Sequence, residues 1–388
     1  MIHSPEKIYQ ENITRLTNEL QQLNRRKSWL AWARLLSFLS AFIAAWLLWP
    51  TGLPLVIPVF IAFIALFIFF ISKDLANNDA IRNTTQLIAI NKEELQVLAH
   101  SFTHLPDGIQ LKPAEHAYAN DLDIFGRASL YQYLNRTTSE QGQQFFANWL
   151  LRSAGTVSIQ ERQEAAKELA QQTNWRQQLR VYGLEKQVTQ KTETNIAGWL
   201  KEENRFINAT HWKVLRIVLP LISFTVLGLH LADIIPVGPF YSLMLLFLAG
   251  SFAITKLIWP AYTRLNRITA ELDVLSQSIR WIENASFKSP LLIQLQKSYE
   301  GIPPPASQRI RQLKKILDRL DYRLNPLVFV PLSIFLYWDL QQIFSLEKWK
   351  VNNQQAIGKW YAALAEIEAL STLGNLCFNH PDWVFPEL

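Results

Sequence analysis

Residues 30–49, LAWARLLSFLSAFIAAWLLW, are followed by Pro50-Thr51-Gly52 and then by residues 53–71, LPLVIPVFIAFIALFIFFI. An α-helix needs about 20 apolar residues to cross the roughly 30 Å of hydrocarbon in a bilayer. The first run has that length, and the Pro-Thr-Gly triplet breaks it. The core of the second, VFIAFIALFIFFI, carries no polar residue, and the run stops before Lys73. Two adjacent runs of this length are rare in soluble cores, so a buried hairpin in a soluble domain is the weaker account. Residues 30–73 are therefore expected to form a transmembrane helical hairpin.

A second pair of runs follows at residues 215–235 and 240–259, joined by Pro236, Gly238 and Pro239. Arg216 stands at its start, His230 and Asp233 near its turn, and Lys256 near its end. Charges at helix ends can snorkel to headgroups, so they are compatible with spanning. Residues 214–260 are expected to be a second hairpin. A shorter apolar stretch, 327–338, contains Pro331 and precedes Asp339. It reads as a buried helix of the polar part.

Cationic flanks orient such hairpins. Arg25, Arg26 and Lys27 precede the first run, and Lys73 and Arg82 follow the second. Lys213 and Arg216 precede the third, and Lys256, Arg264 and Arg267 close the fourth, while the two short hairpin loops carry no Lys or Arg. Both hairpins should then enter and leave from the cytoplasmic side of the inner membrane, as a multi-pass protein with its N-terminus and helical body in the cytoplasm. Trp46, Trp49 and Trp259 stand near run ends, where interfacial aromatics belong. The first run lies behind a long polar stretch and has no small-residue cleavage site after it, which argues against a cleaved signal peptide.

The totals agree. Of 388 residues, 49% are apolar and 18% charged, against about 25% charged in ordinary soluble domains. The net charge of +6 suits anionic lipid, since the cations cluster beside the apolar runs; nucleic acid is the other class of partner such a balance allows. The one cysteine, Cys377, excludes an internal disulfide, and the histidines lack zinc-ligand spacing.

The remaining segments read as helical, and nothing alternates as a strand. The expected class is mainly α: a helical core and lever bundle with two transmembrane hairpins. Residues 1–29 hold an amphipathic helix with Ile8, Ile13, Leu16, Leu20 and Leu23 mostly on one stripe. The stripe suits a coiled coil that pairs two chains into a homodimer, or packing on the protein's own body; the sequence leaves both open. Residues 74–213 read as a helical domain, with a loop over 102–121. Capping-box patterns at Thr137-Thr-Ser-Glu140 and Ser158-Ile-Gln-Glu161 open two of its helices. Residues 261–388 continue the bundle, with helices expected over 262–284, over 308–324 behind a Ser307 cap, and over 346–373.

Residues 121–170, DLDIFGRASLYQYLNRTTSEQGQQFFANWLLRSAGTVSIQERQEAAKELA, resemble the core and lever region of the MutS family of DNA mismatch-repair ATPases. Ser129-Leu130 and Leu134-Asn135 look like the helix before the family's Thr-rich turn. Thr137, Thr138, Gly142, Trp149 and Leu150 match its run of two threonines, a glycine and tryptophan-leucine. Ile159, Arg162 and Gln163 match the start of the next helix, and residues 367–386 more loosely resemble the segment leading into the ATPase domain. Physically, the caps fix where helices start, Gly142 lets helices approach closely, and Trp149 and Leu150 are expected to face a core.

The departures carry equal weight. The family's nucleotide loop needs GxxxxGK[ST], and neither Gly198 nor Gly358 has a glycine five residues ahead. The chain is not expected to hydrolyse ATP by itself, and whether it is part of an enzyme rests on a separate ATPase domain. The resemblance implies ATP and Mg²⁺ only for that domain, on a lost segment or a separate ATPase chain; the end after residues 385–388 is read as a truncated or split protein. Phe385-Pro386-Glu387 has the letters of the family's mismatch wedge at the wrong end, and the N-terminal DNA-reading domain is missing. The second hairpin interrupts the lever helices where the family carries its DNA clamp. DNA and membrane lipid are thus the implied partners, and a scaffold without DNA or ATP chemistry is the alternative.

No other constellation builds a catalytic, cofactor or metal site. Asp121 and Asp123 lack a third ligand and read as loop residues. His380-Pro381-Asp382 lacks a nucleophile elbow beside Cys377. His230 and Asp233 suit an interfacial turn better than a proton relay. Arg309, Arg311, Lys314, Lys315, Arg319 and Arg323 interleave with Leu313, Ile316 and Leu320, an amphipathic pattern whose basic face is solvated or touches phosphates.

Overall fold

A computed structural model describes residues 4–265, 268–301 and 303–387. The fold is mainly α, and no strand occurs among the described residues. Among the described residues four helices are long and apolar enough to cross a membrane, or five if a bent pair at 326–353 counts as one span. The chain forms two compact units.

The first unit holds the described residues up to Asp107, with Gly126–Tyr133 and Phe378–Asp382. Helix α1 (Pro5–Leu48) and helix α2 (Leu53–Leu98) are antiparallel, joined by a 3-10 turn at Trp49–Thr51. Gly52 closes the turn at φ 93°, a region that a Cβ disfavours. The polar N-terminal stretch and the first apolar run are one helix of 44 residues. At 1.5 Å per residue it is about 66 Å long, roughly twice the hydrocarbon thickness. Its buried face, with Tyr9, Leu16, Leu30 and Ala41, lies along α2 of the same chain. Arg34, a cation inside the first apolar run, pairs with buried Asp74 of α2 at 3.0 Å. Asn77 donates to the Leu23 carbonyl at 3.0 Å. Away from that seam the apolar flanks are bare; Trp46 is 76% exposed. At the polar end, the buried Tyr9 hydroxyl donates to Asn379 Oδ1 at 2.7 Å, and Asn379 Nδ2 donates to Glu94 at 3.1 Å.

Residues 74–107 belong to this first unit because α2 runs unbroken through residue 74. The division therefore differs from the segments read from the sequence, which placed 74–213 in one domain.

After α3 (Leu130–Leu134), the second unit is built from α4 (Glu140–Leu151), α5 (Thr156–Gln171), α6 (Thr173–Glu185), α7 (Gln190–Lys201), α8 (Thr210–Leu231) and α9 (Val237–Leu265). It continues with α10 (Thr269–Glu283), α11 (Pro290–Lys297), α12 (Ala306–Leu320), α13 (Pro326–Leu336), α14 (Trp338–Asn353) and α15 (Ile357–Asn379), whose last two residues count with the first unit. One core runs through it, with Leu275 and Ile279 of α10, Leu313 and Leu317 of α12, Leu346 of α14 and Trp360 and Ile367 of α15 all buried. Helices α8 and α9 are the second apolar hairpin. At its turn His230 is hydrogen-bonded to the Ile235 carbonyl at 2.9 Å and stacks on Phe240, while exposed Asp233 adopts φ 57°.

Several boundaries differ from the sequence reading, for local reasons. The cap of α4 is Ser139, which accepts from Gly142 N, while Thr137 bonds Asn135 instead. Helix α5 starts at Thr156 behind Gly155, so Ser158 lies inside it. Ser307 lies in the first turn of α12, not before it. The helix expected over 346–373 is two helices, broken after Asn353. Helix α9 ends at Leu265 and α10 begins at Thr269; Arg267 lies outside the described residues.

The apolar stretch at 327–338 departs most. Helix α13 packs on α8 and α9, the apolar hairpin, and only Phe329 and Ser333 are buried, with Leu327 87% exposed. It meets α14 at an 80° bend, through Tyr337 at φ 48°. A polar cluster holds the elbow. Arg323 pairs with Asp339 at 3.2 Å, both side chains buried. Thr255 of α9 donates to Asp339 at 2.7 Å, and the Arg323 guanidinium lies over the Tyr262 ring at 4.1 Å. Removing one member of a buried ion pair strands the other, at a cost of about 3–5 kcal/mol, whereas replacing both by apolar groups is often neutral. Asp339→Ala should therefore unfold the purified protein far more readily than Arg323→Met/Asp339→Leu, in denaturant titrations of the detergent-solubilised chain.

Candidate functional site

The turn at residues 137–139 folds onto one carboxylate, that of Glu368. Asn135 Oδ1 accepts from both the amide and hydroxyl of Thr137, at 3.1 and 2.7 Å, which turns the chain ahead of α4. The turn presents its next two residues to α15. The Thr138 hydroxyl donates to Glu368 Oε1 at 2.6 Å. Ser139 donates to Glu368 Oε2 through its hydroxyl at 2.6 Å and its amide at 3.1 Å. Ser139 Oγ also accepts from Gly142 N at 2.9 Å, so one residue caps α4 and ties it to α15. One helical turn further along α15, Thr372 Oγ1 accepts from the Arg136 amide at 3.3 Å. Then Asn375 accepts from Arg176 of α6 at 2.7 Å. Residues 368, 372 and 375 fall on one face of the helix, at the spacing that places them over successive turns.

Two glycines make the approach close enough. A Cβ on Gly142 would lie 2.1 Å from Glu368 Oε2, and one on Gly183 of α6 would lie 1.8 Å from Thr138 Oγ1. Both occupy ordinary helix, so space alone demands glycine there.

Burial raises the Glu368 pKa above the usual carboxylate range, and the bonds from Ser139 and Thr138 oppose that shift. The carboxyl is buried and held by three donors from the turn ahead of α4, so it acts as a clamp. Trp149 and Leu150 are half-buried; the buried positions of α4 are Gly142, Phe146 and Ala147. Trp149 packs against the core, as its place in the sequence led one to expect, and also carries the Arg162 guanidinium at 3.9 Å from its ring, while Gln163 donates to the Pro386 carbonyl at 3.3 Å. In the first unit, Ser129 Oγ accepts from Gln132 N at 3.2 Å, and Leu130 is exposed.

The other sequence candidates scatter. Asp123 sits in a turn at φ 46°. His380 is hydrogen-bonded to the Tyr133 hydroxyl at 2.6 Å, and Asp382 is exposed. Burial pushes the Cys377 thiol up, away from the thiolate. Among the described residues, no three His, Cys, Asp or Glu side chains gather as metal ligands. The basic run divides: Arg309 and Arg323 are drawn inward, Lys314 pairs with Asp318 at 3.1 Å, and Arg311, Lys315 and Arg319 stay exposed. Glu368 escaped sequence reasoning, because its partners are some 230 residues away.

No family model, curated protein or solved structure matches this chain.

Gly142→Ala and Gly183→Ala should each destabilise the protein by about 1–3 kcal/mol through overpacking, read as a lower thermal midpoint. A second expectation follows from Glu368. Its raised folded pKa means the folded state keeps a proton that the unfolded state has lost. Stability should therefore be greater at low pH and fall as pH rises through the folded pKa. Glu368→Gln should flatten that slope, measured by thermal unfolding across pH.

Proposed function

We propose that this chain is a multi-pass membrane protein whose helical body serves as a MutS-like core and lever. In this reading it couples a nucleotide-driven ATPase, carried on another segment or chain, to movement at the membrane or on DNA. ATP and Mg²⁺ enter only with that ATPase. The observation that carries the reading is the joint at Glu368: Thr138 and Gly142, from the stretch that resembles the family, meet with Ser139 on one buried carboxylate of α15. Levers need such joints, because close-packed interiors transmit displacement instead of absorbing it.

Spanning is supported by the bare apolar flanks of α1, α2, α8 and α9. Lipid is the medium that covers such surface on a protein of this composition. The cationic flanks support a cytoplasmic N-terminus and helical body. The alternative is a membrane-anchored scaffold for protein contacts. It is favoured by the tight closure at Gly142, Gly183 and Gly374, each lacking room for a methyl group.

Two measurements test these readings. In a Cys377→Ser background, Thr51→Cys and Val237→Cys should react with an impermeant maleimide from outside the cell, and Arg26→Cys should not; the reverse pattern overturns the orientation. Separately, the purified full chain should retain duplex DNA at about 50 mM salt and release it by about 200 mM. Absence of retention at low salt removes the DNA-linked lever and leaves the scaffold.

A further inference from the structure

Helices α12 and α14 pack side by side, and a cavity of about 470 Å³ lies between them, with Pro303 and Pro304 in its wall. Small-molecule sites run from roughly 300 to 1,000 Å³. Four cations line it, Arg309, Lys315 and Arg319 from α12 and Lys348 from α14, with Gln312 and Asn352 beside them and no Asp or Glu. The periodicity of the two helices explains the gathering. Positions 309, 312, 316 and 319 recur every three or four residues on one face of α12, as do 345, 348, 349 and 352 on α14.

These cations are not used up by the fold. None of the four forms an ion pair among the described residues; Lys314, one position away and outside the cavity, is the one that pairs with Asp318. Arg309 is only 7% exposed. Among the described residues its guanidinium donates once, to Asn353 Oδ1 at 3.3 Å, and lies 4.8 Å from the Trp360 ring. Its Nε–H has no hydrogen-bond partner. Glu283, the acid whose charge acts on it, is already engaged by the Ser307 amide and hydroxyl. A buried guanidinium with an unpaired donor is costly, and its charge is offset best by an anionic acceptor at the faces of the side chain that line the cavity.

We propose that this cavity binds a phosphate-bearing anion, with Arg309 at its base and Lys315, Arg319 and Lys348 around its mouth. The site stands independently of the lever reading. Two sources present that chemistry: the headgroup of an anionic phospholipid, and a free phosphorylated small molecule. The first is favoured by position. Arg319 lies one turn before Arg323, whose partner Asp339 begins the elbow beside the apolar α13, and the Trp338 indole donates to the Arg319 carbonyl at 2.8 Å.

The test uses the full chain in detergent with inorganic phosphate, and the chain reconstituted with phosphatidylglycerol or phosphatidylcholine, with retained lipid read by native mass spectrometry. Phosphate binding by calorimetry marks the free-anion source. Preferential retention of phosphatidylglycerol marks the lipid source. In either case Lys315→Gln/Arg319→Gln/Lys348→Gln, all exposed positions, should weaken binding at least tenfold, and Arg311→Gln, outside the cavity, should leave it unchanged. Arg309→Gln should abolish binding, and the exposed triple variant decides the matter if that protein does not fold. The proposal is overturned if neither ligand binds, if the triple variant binds as the wild type does, or if duplex DNA alone is retained.

Discussion

An α-helix begins with backbone N–H groups that its own turns leave unpaired, and in the second unit carboxylates from distant helices meet them. Glu368 of α15 takes the Ser139 amide at the start of α4. Glu271 of α10 takes the Thr189 amide ahead of α7, and Glu140 takes the Gln190 amide beside it. Glu168 of α5 takes Lys288 and Ser289 before α11, and Glu283 of α10 takes Ser307 in the first turn of α12. Glu347 of α14 accepts from the successive amides of Arg205, Phe206 and Ile207 ahead of α8, at 2.9, 3.0 and 2.7 Å. A buried carboxylate needs donors, and a helix start needs acceptors and favours negative charge. Where the amide belongs to a helix cap or first turn, as at α4, α7, α11 and α12, the pairing fixes where one helix starts relative to another, while Glu347 holds the loop ahead of α8.

That arrangement makes the hub sensitive to volume as well as charge. Carboxylate-to-amide distances near 3 Å hold only if the backbones come close, and glycine supplies the approach. Gly142 sits under Glu368, Gly183 under Thr138, and Gly374 against Leu169, where a Cβ would lie 2.8 Å away. Polar pairing and close packing are here one constraint. An added methyl would break the hydrogen bonds, and an apolar residue in place of Glu368 would leave the Ser139 amide unsatisfied.

What was legible in the sequence follows from range. The apolar runs announce themselves within 20 residues, so the helices from 30 to 71 and the second hairpin were readable, as was the mainly α class. Gly142 was readable as a point of close approach, but not what it approaches. Capping shows locally only in Ser/Thr-x-x-Glu patterns, yet the acids that take the first amides of α4, α11 and α12 lie outside the helices they serve. Local pattern reading therefore placed Thr137 and Ser158 as caps, where the chain uses Ser139 and Gly155. The elbow at Tyr337 was hidden for a related reason. Residues 327–338 are apolar enough for a core, and only tertiary contact with α8 and α9 separates a buried helix from one that lies along an apolar hairpin.

The second hairpin is built into its unit rather than appended to it. Helix α9 carries Thr255, Trp259 and Tyr262 along its final turns, and each touches the polar cluster around Arg323, Asp339 and Asp321. A buried ion pair tolerates little misalignment, since each charge loses its compensation as the other moves. The same cluster fixes the bend between α13 and α14, and α14 carries Glu347 to the loop ahead of α8. Both ends of the hairpin are thus bound to α14, one through Asp339 and one through Glu347. A displacement of α14 would have to move the apolar hairpin with it, so the hairpin and the helical body around α14 form one mechanical unit.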